Sequence, residues 1–228
     1  MEKVVVSLGG SIIVPGEDDA RRIRALARLF RDVSSRVKLF LVTGGGRVAR
    51  YYIETGRALG IGERPLDEMG IAITRLNARL LAGALRGSAN REPATSYAQA
   101  ARLARRFPIV IMAGTQPGHT TDRVAASLAR FVGAARIVNA TSVEGVYSAD
   151  PGRNPNAKLL RRVSFEELVR LTRASASWKA GPNVVFDPVA ARVVARDRTP
   201  LRVVSGRDLG SLRSAILGLP FRGTVVDD

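Results

Sequence analysis

Three times in this chain a short, largely apolar run stops at glycine and gives way to a helix-forming pattern. Val4–Leu8 ends at Gly9-Gly10, Leu39–Val42 at Gly44-Gly45-Gly46, and Ile109–Met112 at Ala113-Gly114. Continuous apolar runs bounded by turn residues fit strands covered on both faces. Strand, glycine turn and helix in that order predict a mostly parallel sheet with helices on both sides. Further strands are expected at Ile137–Val138, Leu201–Val204 and Thr224–Val226. Helices are expected after Asp18-Asp19 (apolar stripe Ile23, Leu26, Ala27, Phe30) and after Gly46 (Val48, Tyr52, Ile53). A long helix should carry Met69, Ile73, Leu76 and Leu80 on one face, and others should span Thr95–Arg106, Asp187–Ala195 and Asp208–Leu217. Two more should begin near Asp122 and at the capping box Ser164-Phe165-Glu166-Glu167. Residues 87–94 and 174–183 carry no readable pattern.

In such sheets ligands sit at the carboxyl ends of the strands, so the glycine turns are where chemistry is expected. The segment Gly114-Thr115-Gln116-Pro117-Gly118-His119-Thr120-Thr121-Asp122 offers three threonine hydroxyls and the free N–H groups of a helix start, which suit a phosphate. Asp122 would repel that phosphate unless Mg²⁺ or a basic group lies between them, a combination that points to metal-assisted phosphoryl chemistry. Gly44-Gly45-Gly46 is either a tight turn or an anion cradle, and Arg50, one helical turn on, could reach back to a phosphate held there. Gly9-Gly10-Ser11 carries the same two readings, and without the Walker spacing and lysine it is no P-loop. Asp67 is a helix-start cap or an acceptor for sugar hydroxyls, and His119 a loop donor. The polar loop Thr141–Pro155, with Tyr147 and Asp150, could hold a base and ribose, although these residues could equally be packing and turn formers. Lys158 and Lys179 read as surface residues.

At 228 residues the chain suffices for one large domain or two joined lobes. No apolar run reaches the ~18 residues of a membrane span, and the early strand at Val4 leaves no room for a leader. With no cysteine and one histidine there is no thiolate or multi-histidine metal site; a cytoplasmic enzyme fits. The formal charge is +16, and lysine holds only four of the 36 basic positions, leaving 32 arginines. Such a balance suits either nucleic acid or a solvated surface on an enzyme for anionic substrates. The arginines are spread over every segment and aromatic residues are only 5%, which favours the enzyme.

Together, Gly9-Gly10-Ser11, Gly44–Arg50, Asp67–Ile71, Gly114–Asp122, Thr141–Pro151, Asp187–Ala191 and the ending Gly223-Thr224 resemble the amino acid kinase family, and within it the uridylate kinases of the archaeal branch. The resemblance covers essentially the whole chain. It implies a three-layer α/β/α sandwich in a single domain, 1–228, with a UMP-binding part over about 1–133 and an ATP-binding part over about 134–228. It also implies phosphoryl transfer from Mg·ATP to UMP, cytoplasmic, in a homohexamer. Gly44, Arg50, Asp67, Thr115, Gln116, Pro117, Gly118, His119, Thr120 and Thr121 fall at UMP-binding positions. Ser7, Leu8, Gly9, Gly10, Ser11 and Gly45 fall at ATP-phosphate positions, and Thr141, Ser142, Tyr147 and Asp150 at the nucleoside end of the ATP site. Asp122 resembles the aspartate that organises the reacting centre, with Arg50 as a second catalytic group; no resident protein metal site is implied. Two departures stand out. Ser7 replaces a lysine found in many members, and Ser142 and Glu144 replace the usual asparagine and aspartate before Gly145. Sister kinases of isopentenyl phosphate, acetylglutamate or carbamate are the alternative, as is a basic nucleic-acid-binding protein on the same fold. Against isopentenyl phosphate, no histidine follows the triple glycine, where the chain reads Arg47-Val48-Ala49-Arg50-Tyr51-Tyr52.

Overall fold

A computed structural model describes residues 1–149, 154–176 and 185–228. Strands β1 (Lys3–Leu8), β2 (Lys38–Thr43), β3 (Ile109–Met112), β4 (Arg136–Thr141), β5 (Arg162–Val163), β6 (Leu201–Ser205) and β7 (Gly223–Val226) form one sheet in the order β3-β2-β1-β4-β6-β7-β5. The five strands from β3 to β6 run parallel, and β7 is antiparallel to β6. Between the strands run α1 (Gly10–Ile13), α2 (Asp19–Val33), α3 (Gly46–Ala58), α4 (Glu63–Leu85), α5 (Tyr97–Leu103), α6 (Thr121–Val132), α7 (Phe165–Ala176), α8 (Pro188–Arg196) and α9 (Leu209–Leu217).

Side chains alternate across each strand, and both faces are covered. Val4, Val6, Leu8, Leu39, Leu41, Ile109 and Ile111 pack with the apolar faces of α2, α4 and α9. Val5, Phe40, Val42, Val110 and Met112 pack with those of α5, α6, α7 and α8 on the opposite side. This is the three-layer α/β/α sandwich with a mostly parallel sheet.

The expected strands all form, and β5 and the single turn α1 are added. Residues 87–94 turn out to flank the β3 edge, through bridges Ala89–Ile109 and Ala94–Met112 and through Asn90, whose amide bonds Ile111 from both ends. The long helix α4 buries a different face from the one expected. Leu66, Thr74, Asn77, Ala78, Leu81, Ala82 and Leu85 are buried, whereas Leu76 and Leu80 are 52% and 54% exposed. Asp67 is no cap, because α4 starts four residues earlier at Glu63 after Gly62.

Candidate active site

Because β3, β2, β1, β4 and β6 are parallel neighbours, the turns that leave their carboxyl ends share one rim. The β1 and β2 turns touch. Gly44 N–H donates to the Leu8 carbonyl (2.9 Å) and Gly9 N–H to the Ala140 carbonyl (3.1 Å), which extends the ladder to the glycines. A Cβ built on Gly10 would lie 2.2 Å from the Gly46 nitrogen, and Gly46 holds φ +67°. Only glycine permits that approach and that backbone. The N–H groups of Gly10, Ser11, Gly45 and Gly46 donate to no backbone partner among the described residues, so the meeting point of two turns offers a group of free donors, an anion nest.

The β3 turn brings in the third segment. Thr120 caps α6, its hydroxyl accepting the Arg123 N–H (3.1 Å); the hydroxyl proton stays available to an anion. Asp67 accepts the Gly118 N–H at 2.7 Å and so ties α4 to this loop. Gln116 Nε2 lies 2.8 Å from His119 Nε2, which suits a neutral ring accepting from the amide. Burial, with Arg123 adding to it, pushes the His119 pKa down in the same sense. Arg50 is exposed and forms no ion pair among the described residues.

Asp122 links the halves of the rim. Residue 122 keeps some surface, but its carboxyl group is enclosed by protein. Ser7 of β1 donates its hydroxyl to Oδ1 (2.8 Å), and the Asp187 N–H at the start of α8 donates to Oδ2 (3.3 Å). Burial pushes the Asp122 pKa up to about 6, against these two donors and with help from the Asp187 carboxylate. Ser7, the departure noted in the sequence, thus spends its hydroxyl on a carboxylate.

On the far side, Gly206 N–H donates to the Thr141 carbonyl (2.8 Å). Tyr147 sits in a short antiparallel bridge to Leu159, and Ser148 N–H donates to the Lys158 carbonyl (2.9 Å). Thr224 of β7 pins this hairpin: its hydroxyl accepts the Val146 N–H (2.9 Å) and donates to the Leu160 carbonyl (2.6 Å). Ser142 is exposed, and Glu144 pairs with Arg222 at 2.8 Å. Asp150 and Lys179 lie outside the described residues. The structure therefore joins Ser7 with Asp122, Gly10 with Gly44–Gly46, and Asp67 with Gly118. Sequence reasoning missed Asp187, Thr224, Thr74 and Asn77 as builders of the rim. In the sequence Gly223-Thr224 enters only through the resemblance, and Asp187 only as a helix start and as part of that resemblance.

A family model described as the amino acid kinase family matches residues 2–205. The chain belongs to the amino acid kinase family. Among curated members, the uridylate kinase of Methanoculleus marisnigri is 43% identical over 226 residues, 99% of this chain and 96% of that one. The uridylate kinase of Pyrococcus abyssi is 40% identical over 225 residues, 99% of each. The crystal structure of uridylate kinase from Archaeoglobus fulgidus superposes with TM-score 0.88 at 39% identity, covering 99% of this chain and 100% of that one. UMP kinase from Bacillus anthracis, at 20% identity and TM-score 0.82, shares the amino acid kinase fold.

Proposed function

We propose that this amino acid kinase family member transfers the γ-phosphoryl group of ATP to UMP, giving UDP and ADP. The observation that carries the reading is the abutment of the Gly9–Ser11 and Gly44–Gly46 turns, with their free N–H groups gathered at one point of the rim. Two phosphate chains repel each other, and a nest of N–H dipoles where they meet offsets that repulsion and fixes the in-line geometry. A UMP phosphate is already ionised near neutral pH, so no strong base is needed. In this reading the part over about 1–133 holds UMP through Gly44, Arg50, Asp67 and Thr115–Thr121. The part over about 134–228, with the Ser7–Ser11 turn and Gly45, holds ATP, its nucleoside end near Thr141, Ser142, Tyr147 and Asp150. Asp122, bonded to β1 and α8 at once, keeps the two parts in register. ATP brings Mg²⁺ on its phosphates, where the ion neutralises developing charge; the donor-rich turns fit phosphate oxygens.

A homo-oligomer, a hexamer by family resemblance, belongs to the same proposal. Its support is the α4 stripe Met69, Ile73, Leu76, Leu80, half-buried at its first two residues and exposed at Leu76 and Leu80, whose alternating spacing of four and three suits helix-on-helix packing. No helix among the described residues is long and apolar enough to cross a membrane, and a cytoplasmic setting suits both substrates. Neither the sister kinases nor nucleic acid binding is favoured by any feature of the rim.

The test is an acceptor panel with Mg·ATP: UMP, CMP, dUMP, isopentenyl phosphate, acetylglutamate and carbamate. UMP should give the highest kcat/KM. Preference for another acceptor, with UMP untouched, overturns the reading.

A further inference from the structure

Two polar side chains on α4 are more deeply buried than packing requires. Thr74 and Asn77 are 6% and 5% exposed. Three residues apart, they share one helix face, the face that meets the sheet. Thr74 Oγ1 accepts the Gly114 N–H at 2.9 Å and donates to the Ile71 carbonyl at 2.7 Å, while Thr43 donates its hydroxyl to the Thr74 carbonyl at 3.0 Å. Asn77 Nδ2 donates to the Gly44 carbonyl at 2.8 Å and reaches the Gly45 carbonyl at 3.4 Å. One helix face thus grips both the triple-glycine turn and the first residue of the 114–120 loop. Buried polar groups stabilise a fold only when bonded, and apolar residues of similar size would fill the space without that demand.

The direction of the Asn77 bonds has a further effect. In a trans peptide the carbonyl and the following N–H point in opposite directions. Holding the Gly44 and Gly45 carbonyls toward α4 therefore turns the Gly45 and Gly46 N–H groups away from it, toward the Gly10-Ser11 turn that abuts them. Glycine lacks the side-chain constraint that would otherwise fix these peptide planes. The Thr74 bond does the complementary job at Gly114: it takes up that N–H and anchors the loop where it leaves β3.

We propose that Thr74 and Asn77 are positioning residues that set the orientation of the glycine nest and its spacing from the acceptor loop. The proposal rests on the phosphotransfer reading above. Asn77 acts on the turn shared by both nucleotides, and Thr74 on the acceptor loop alone, so their kinetic signatures differ. Thr74→Val keeps the shape and removes the acceptor; it should raise KM for UMP about tenfold, one lost hydrogen bond, with KM for ATP within about twofold. Thr74→Ser keeps the hydroxyl and should stay near the parent KM. Asn77→Ala should lower kcat by about tenfold or more. Steady-state kinetics in both substrates, with melting temperature measured beside them, make the test. Unchanged kcat and KM in variants whose melting temperature alone falls would overturn the proposal, as would equal KM changes for both substrates in Thr74→Val. If the unaltered protein phosphorylates another acceptor in place of UMP, the UMP assignment fails, and the same signatures are read on that acceptor.

Discussion

The Asp122 carboxylate has two donors, the Ser7 hydroxyl and the Asp187 N–H, to set against its enclosure. Its pKa of about 6 lies above the ordinary 3.8, so the folded state binds this proton more tightly than the unfolded one. The sign follows: the ionised group costs nothing below about pH 4, the cost grows as pH rises through 4 to 6, and it is complete above. Asp122→Asn should therefore raise stability by about 1–2 kcal/mol at pH 8, under the ~3 kcal/mol that a two-unit shift allows. No gain should appear at pH 4, and urea denaturation at the two pH values checks this. The same variant should lose at least about a hundredfold in kcat. If the ionised form serves the reaction, kcat/KM of the parent falls below about pH 6, and Ser7→Ala, by removing a donor, moves that fall to higher pH. Gly10→Ala is expected to cost several kcal/mol or prevent folding, since its Cβ would enter the Gly46 backbone; chemical denaturation reads it.

Among the elements, the parallel strands were the most legible in the sequence, because Val4–Leu8, Leu39–Val42 and Ile109–Met112 are buried on both faces and need no partner to declare themselves. Helix α4 was legible as a helix and misread as a face. Of the expected stripe, Leu76 and Leu80 lie outside and Met69 and Ile73 are half-buried, while Thr74 and Asn77 point in. Hydrophobicity locates the face that seeks cover, and it cannot distinguish the core from a second subunit or foresee that backbone groups of glycine turns await polar partners. Strand β5, with two residues, and the segment 87–94 were invisible for another reason: their structure is supplied by distant strands, β7 and β3, and local pattern does not encode distant pairing. The stripe carries its own prediction. With the proposed homo-oligomer packed through this face, Leu76→Glu with Leu80→Glu should lower the mass read by light scattering after size exclusion, with the circular dichroism of the helices kept. A mass that does not change removes α4 from the proposed interface.

At the scale of the whole molecule, a net charge of +16 accompanies the proposed binding of two anionic nucleotides. Screening weakens such attraction over a Debye length of about 10 Å at 0.1 M salt. KM for both nucleotides should rise a few-fold between 50 and 300 mM KCl while kcat holds, and retention on RNA should vanish over the same range. The overall architecture followed from the alternation of strands and glycine turns; the cross-links that make it a site, such as Thr224 to Val146 and Ser7 to Asp122, join residues 78 and 115 positions apart and had no local signature. One of those cross-links bears on how the protein is made. Strand β7 comes after every other strand in the chain, yet it is seated between β6 and β5. Without β7 the sheet would have a gap between β6 and β5 and the Tyr147 hairpin would lose its Thr224 anchor, so on the proposed reading the donor pocket would close only once this last described strand is seated.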